Sequence, residues 1–139
     1  MMSLSFRVYY EDTDAAGIVY YANYLRFLER GRTELLRSLG IEQSALATRH
    51  IAFAVRSVNA EYLKPAKLDD LLMVETQVAS VGRAQVMFHQ VVKRTDATQE
   101  TLLLEAQVRV ACIDPALGKP IAMPQKIHQQ FSTLTEKSV

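Results

Sequence analysis

Asp14 is the residue in this chain whose type and position best suit chemistry. It stands three residues before Gly17 and seven before a stretch of helical periodicity, in a loop that can turn back over that helix's end. The first N–H groups of a helix have no internal partners and carry the positive end of its dipole, so they can polarise a carbonyl oxygen. A carboxylate beside them would sit next to the group it attacks, either as a general base for water or as a nucleophile. That pairing suits acyl transfer from a thioester. The same residues also read as a solvated turn or a helix cap, and their spacing alone does not choose.

Other common chemistries fail on spacing. The glycines at 17, 31, 40, 82 and 118 form neither a dinucleotide fingerprint nor a phosphate loop. His50, His89 and His128 are far apart, and with one cysteine they make no zinc motif, so each reads as structural or surface. Asp12, Asp14 and Gly17 faintly resemble a calcium loop, but Ala16 holds the third ligand position and Asn23 the place of the bidentate Glu. No metal and no cofactor are expected.

The elements that must hold Asp14 follow from periodicity. Residues 5–10 (SFRVYY) read as a first strand. From about Tyr21 to Leu39, Tyr24, Leu28, Leu35 and Leu39 recur at helical spacing, and Gly40 is a stop signal. Gly31 inside that helix costs about 1 kcal/mol relative to alanine, so it predicts close packing against a sheet. Arg30 and Glu34 are spaced for a surface ion pair. After a short helical or irregular stretch at 42–49, strands are expected at about 51–63, 71–80, 84–94 and 101–113, the last with Leu104, Ala106, Val108, Val110 and Cys112 alternating with Glu105, Gln107 and Arg109. Pro65, Asp69 with Asp70, Gly82, and Gly118 with Pro120 mark turns. Residues 133–139 lack periodicity and are expected to fray. One strand, one long helix and four largely antiparallel strands make a single α+β domain over residues 1–139.

The 139 residues suffice for one core. Lys and Arg number 16 against 15 Asp and Glu, so the broad basic footprint of a nucleic-acid binder is missing. Cys112 cannot form an internal disulfide and reads as a buried strand residue. No run approaches the 18 apolar residues of a membrane span, and the start of the chain has no apolar leader segment. A cytoplasmic protein without membrane insertion is the expectation.

Residues 9–32, YYEDTDAAGIVYYANYLRFLERGR, resemble the signature of the 4-hydroxybenzoyl-CoA thioesterase family, especially its YbgC-like, Tol-Pal-associated acyl-CoA thioesterase branch. The similarity continues through VRSVNAEYLKPAKLDDLL at 55–72, EAQVRVACIDP at 105–115 and the Lys119–Pro120 turn. It covers nearly the whole chain. The resemblance implies a hot-dog fold, in which about five antiparallel strands wrap a long helix. It also implies a homodimer or homotetramer whose sheets join, with the sites at the interface and an acyl-CoA as substrate.

By motif position the resemblance makes Asp14 the catalytic carboxylate and Tyr21 the residue whose backbone N–H polarises the thioester carbonyl. Tyr10 corresponds to a further catalytic position, Gly17 to the substrate-binding loop, and Arg83 to a turn that presents basic residues to the CoA phosphates. YbgC-like members usually carry His where this chain has Tyr21. A backbone N–H survives that change; any role of a histidine side chain does not. Two other readings compete: a hydroxyacyl thioester dehydratase, which would want a histidine near the acid, and a non-catalytic acyl-CoA binder or scaffold.

Overall fold

The computed structural model describes residues 1–137. The first strand, β1 (Met2–Arg7), ends three residues earlier than its aromatic tail suggests, because Tyr10–Asp12 turns into a short 3-10 helix. A second 3-10 turn, Tyr21–Asn23, runs directly into the long helix α1 (Tyr24–Ser38), so the helical stretch expected from Tyr21 is present but its first turn is tighter than α. A one-turn helix, α2 (Gln43–Ala47), follows. Then come β2 (Ala52–Tyr62), β3 (Leu71–Val81), β4 (Gln85–Thr95), β5 (Glu100–Asp114) and a two-residue β6 (Lys119–Pro120).

The strands form one antiparallel sheet in the order β1-β3-β4-β5-β2, with β6 beside β5. Bulges between Val55 and Ser57 in β2, between Val78 and Ser80 in β3 and at Leu103 in β5, opposite Val92/Lys93, add local twist, and this curls the sheet around α1. Tyr24, Phe27, Leu28, Gly31 and Leu35 recur at three- and four-residue steps on the buried face of α1. Opposite them lie Leu72, Val74 and Val78 of β3, Val86, Phe88 and Val92 of β4, and Leu104, Ala106, Val108 and Val110 of β5. Cys112 is buried in the same β5 row, as its place in the alternation predicts.

Gly31 is where helix and sheet come closest. A Cβ there would stand 2.7 Å from Thr76 Oγ1 and 2.9 Å from Val74 Cγ1. The buried Gln90 occupies the space beside it, its Nε2 donating to the Leu28 carbonyl and to Thr76 Oγ1, both at 2.9 Å. The close packing expected from the sequence is present.

Two expectations fail. Glu34 pairs with Arg37 rather than Arg30, whose guanidinium lies instead over the rings of Phe6 and Phe27 at 5.6 and 5.7 Å. Residues 133–137 do not fray but close a helix, α3 (Gln125–Lys137). Ile127 and Phe131 bury its inner face, the Phe131 ring stands 6.2 Å from Phe53 and 6.1 Å from Phe88, and Gln130 Nε2 donates to the Leu39 carbonyl at 2.8 Å. Ile127, Phe131 and Leu134 stand at helical spacing along α3, a pattern that the window 133–139 cuts off, and their tertiary contacts hold the helix; residues 138–139 lie outside the described part.

Candidate active site

The loop carrying Asp14 is held at both ends. Asp12 is buried, and its carboxylate accepts from the Asn23 side-chain amide and from the Tyr9 backbone N–H, each at 2.8 Å. Its carbonyl accepts the Tyr20 N–H at 2.9 Å. Residues 12 and 23 are thereby clipped together, and the segment between them is folded back on the start of the helix.

Within the loop, the Asp14 N–H donates to the Ile18 carbonyl at 2.9 Å and the Gly17 N–H to the Asp14 carbonyl at 3.0 Å. Gly17 has φ +80°, a conformation that a side chain resists. Asp14 Oδ1 accepts the Ala16 N–H at 2.8 Å, which leaves Oδ2 without an internal partner among the described residues. The side chain is exposed. It is thus oriented by one hydrogen bond and open to a substrate or a water on the other oxygen.

Asp14 forms the wall between two surface depressions. One is completed by Tyr10, Thr13, Gly17 and Leu68. The other contains Glu11, Tyr20, Ala22, Asn23 and Arg26, the start of the helix. So the structure brings Asp14, Gly17 and Tyr10 together, with Tyr10 83% exposed, and sets Asp14 beside the helix start. Arg83 is elsewhere. It is exposed in the β3–β4 turn, where its carbonyl accepts the Met123 N–H at 3.0 Å.

At the helix start the Asn23 N–H is taken by the Tyr20 carbonyl, leaving the N–H groups of Tyr21 and Ala22 at the opening turn. Tyr62 of β2 donates its hydroxyl to the Tyr21 carbonyl at 3.0 Å and so orients the peptide whose N–H belongs to Ala22. Ala22, not Tyr21, lines the depression beside Asp14. Below them Tyr24 is buried, and its hydroxyl accepts the Ala66 N–H at 3.1 Å. Burial pushes the Tyr24 phenol above its ordinary value; burial also raises Tyr62, helped by Tyr21. The rings form a stack of edge contacts, Tyr21–Tyr62 at 6.3 Å, Tyr24–Tyr62 at 5.5 Å and Tyr24–Phe27 at 5.7 Å.

Four of these residues carried no role in the sequence. Tyr62 is 41 residues from its partner, and nothing in local spacing links them. Asp12 and Asn23 sit inside the motif, but their bond spans 11 residues and needs the loop to be closed first. Arg26 reads as an ordinary charge on a helix. No three His, Cys, Asp or Glu side chains converge as a metal site among the described residues.

An open carboxylate at the start of a helix wrapped by a curled antiparallel sheet is the frame of a hot-dog thioesterase. The family model described as the thioesterase-like superfamily matches residues 8–131, and the chain belongs to that superfamily. It is 47% identical over 134 residues to the acyl-CoA thioesterase YbgC of Haemophilus influenzae, covering 95% of each chain. It is also similar to the solved structure of a probable thioesterase from Bartonella henselae, with a TM-score of 0.80 at 34% identity, covering 88% of this chain and 98% of that one. A 1,4-dihydroxy-2-naphthoyl-CoA thioesterase from Synechocystis shares the fold with a TM-score of 0.86 at 21% identity over 96% of both chains.

Proposed function

We propose that this thioesterase hydrolyses an acyl-CoA to the free acid and CoA, with Asp14 as the reacting carboxylate and the opening turn before α1 as the oxyanion site. The observation that carries this reading is the shared depression, in which Asp14 and the helix start face the same space. The thioester carbonyl oxygen is placed toward the N–H groups of Tyr21 and Ala22, where the helix dipole favours developing negative charge.

Two routes fit the geometry. In one, Asp14 takes a proton from water as the water oxygen bonds to the carbonyl carbon; the C–S bond then breaks, and the thiolate recovers a proton. In the other, an Asp14 oxygen displaces the thiolate to give a mixed anhydride, which water then cleaves. Tyr10 closes the site on one side and Gly17 lets the loop approach the substrate. Arg83 would meet the CoA phosphates of a site completed by a second subunit.

An assembly is part of the proposal. β2 is an eleven-residue edge strand whose Val55 and Val58 are 49% and 40% exposed, and an exposed apolar edge of that length is a template for pairing with a second copy. We assign a homodimer, or a tetramer built from it, acting in the cytoplasm without a cofactor. Among the described residues no helix is long and apolar enough to cross a membrane.

Thiol release from acetyl-, butyryl-, palmitoyl- and benzoyl-CoA tests the reading. Turnover of at least one is expected, and the order of rates gives the acyl preference. Silence across the panel would favour a non-catalytic acyl-CoA binder.

A further inference from the structure

A cavity lies away from Asp14, under the second half of α1. It holds about 170 Å³ and is walled mainly by apolar side chains, among them Phe53 and Val55 of β2, Phe88 of β4 and Phe131 of α3. Two charged side chains stand in its wall on the α1 side, Glu29 and Arg32. One Arg32 Nη donates to Gln90 Oε1 at 3.1 Å, and Gln90 is itself fixed by Leu28 and Thr76. No carboxylate comes within ion-pair distance of Arg32 among the described residues. Of its five N–H donors, therefore, one is used by a neutral amide. Burial pulls the guanidinium below the usual arginine range, opposed by the charge of Glu29. It stays charged, and a partly desolvated cation of this kind gains from an oxygen acceptor placed in the cavity.

Two rows of side chains lead from the site toward this cavity. Tyr21, Leu25, Glu29 and Thr33 succeed one another at four-residue steps and so lie along one side of the helical segment, and both Tyr21 and Leu25 are exposed. On β2, Val58 and Val55 are register partners of the buried Val108 and Val110, which puts them on the sheet face that α1 covers, yet both are exposed. An apolar strip thus runs from Tyr21 and Tyr62 to the cavity mouth. Arg32 is eleven residues past Tyr21, about 16 Å along the axis at about 1.5 Å per residue.

We propose that this cavity receives the far end of an extended acyl chain and that Arg32 is a specificity-determining residue, selecting chains that carry a hydroxyl at that end. This rests on the thioesterase reading. The hydroxyl is chosen over a second carboxylate because Glu29, on the same wall, repels an anion, whereas a hydroxyl accepts from Arg32 and donates to Glu29. A plain alkyl end would cover the Arg32 donors without pairing them, which a site built around hydrogen-bonding groups penalises.

The test compares kcat/KM for dodecanoyl-CoA with ω-hydroxydodecanoyl-CoA, and for hexadecanoyl-CoA with ω-hydroxyhexadecanoyl-CoA. The wild type, Arg32→Met and Arg32→Lys are run side by side. The wild type should favour the hydroxylated member of at least one pair by about tenfold or more, mostly through KM. In Arg32→Met that ratio should fall to about one, and Arg32→Lys, which keeps a donor without the planar fork, should lie between. Equal rates or a preference for the plain chain in the wild type would overturn the assignment while leaving the hydrolase reading intact, and needs no variant to fold. A ratio preserved in Arg32→Met would overturn it too. No thiol release from any of the four by a wild type that turns over acetyl-, butyryl- or benzoyl-CoA would overturn this assignment alone; silence on those three as well would bring down the hydrolase reading with it.

Discussion

The Asn23 side-chain amide donates to the Asp12 carboxylate at 2.8 Å, joining the loop that carries Asp14 to the N-cap residue at the start of α1. Both partners are buried, so removing either strands the other. Asn23→Ala is expected to cost about 1–3 kcal/mol of stability, the penalty for an unsatisfied buried group, with somewhat more for one that is charged. Because the clip positions Asp14 over the helix start, kcat should fall in the same variant. A thermal melt and a kcat measurement on one preparation check both. A variant with lowered stability but unchanged kcat would limit the clip to a structural role.

Tyr24→Phe should act through the Ala66 N–H, which loses its acceptor in a buried place. The expected loss is about 1–3 kcal/mol at neutral pH. The wild type carries a pH dependence that this variant lacks. Burial raises the Tyr24 phenol, so as pH climbs above about 10 the unfolded chain ionises while the folded chain holds its proton. The unfolded state then binds fewer protons, and stability falls with rising pH. That contribution is present in full below the ordinary phenol value and is lost above it. Urea melts of both proteins from pH 8 to pH 11 should show a gap that narrows with pH.

Gly31→Leu should be among the worst single changes to α1. Leucine is a better helix former than glycine by somewhat under 1 kcal/mol, but its side chain would enter space already filled by Thr76, Val74 and Gln90. Overpacking at such a contact costs typically about 1–3 kcal/mol and exceeds the gain in propensity. A lowered melting temperature is the expected readout.

The β2 edge predicts the assembly. Light scattering should find a dimer or tetramer at working concentration. Val58→Lys puts a charge on an apolar edge residue that the fold of one chain leaves 40% exposed, so it should shift the protein toward monomer and lower activity with it. A wild-type monomer would refute the interface.

Much of the fold was legible because its signals are local. The alternation of β5, the helical spacing of Tyr24, Leu28 and Leu35, and Gly31 as a point of close approach follow from a few neighbouring residues each. The place of Asp14 was legible for the same reason, a carboxylate at short range from a helix start. The misses needed contacts that the sequence does not order. Nothing in residues 125–137 announces that Phe131 will find Phe53 and Phe88. Arg30 leaves Glu34 because two rings, one of them from β1, offer its guanidinium a surface. Tyr62 reaches Tyr21 from a strand 41 residues on, and the site's aromatic floor exists only once β2 has docked.

If Asp14 carries the reaction, Asp14→Asn should abolish it, since the side chain keeps its size and its acceptor for the Ala16 N–H while losing basicity and nucleophilicity. Turnover of the best acyl-CoA should drop by at least about a hundredfold, the lower range for a lost acid–base group, with the melting temperature little changed. Turnover near that of the wild type would rule out Asp14 as the reacting carboxylate.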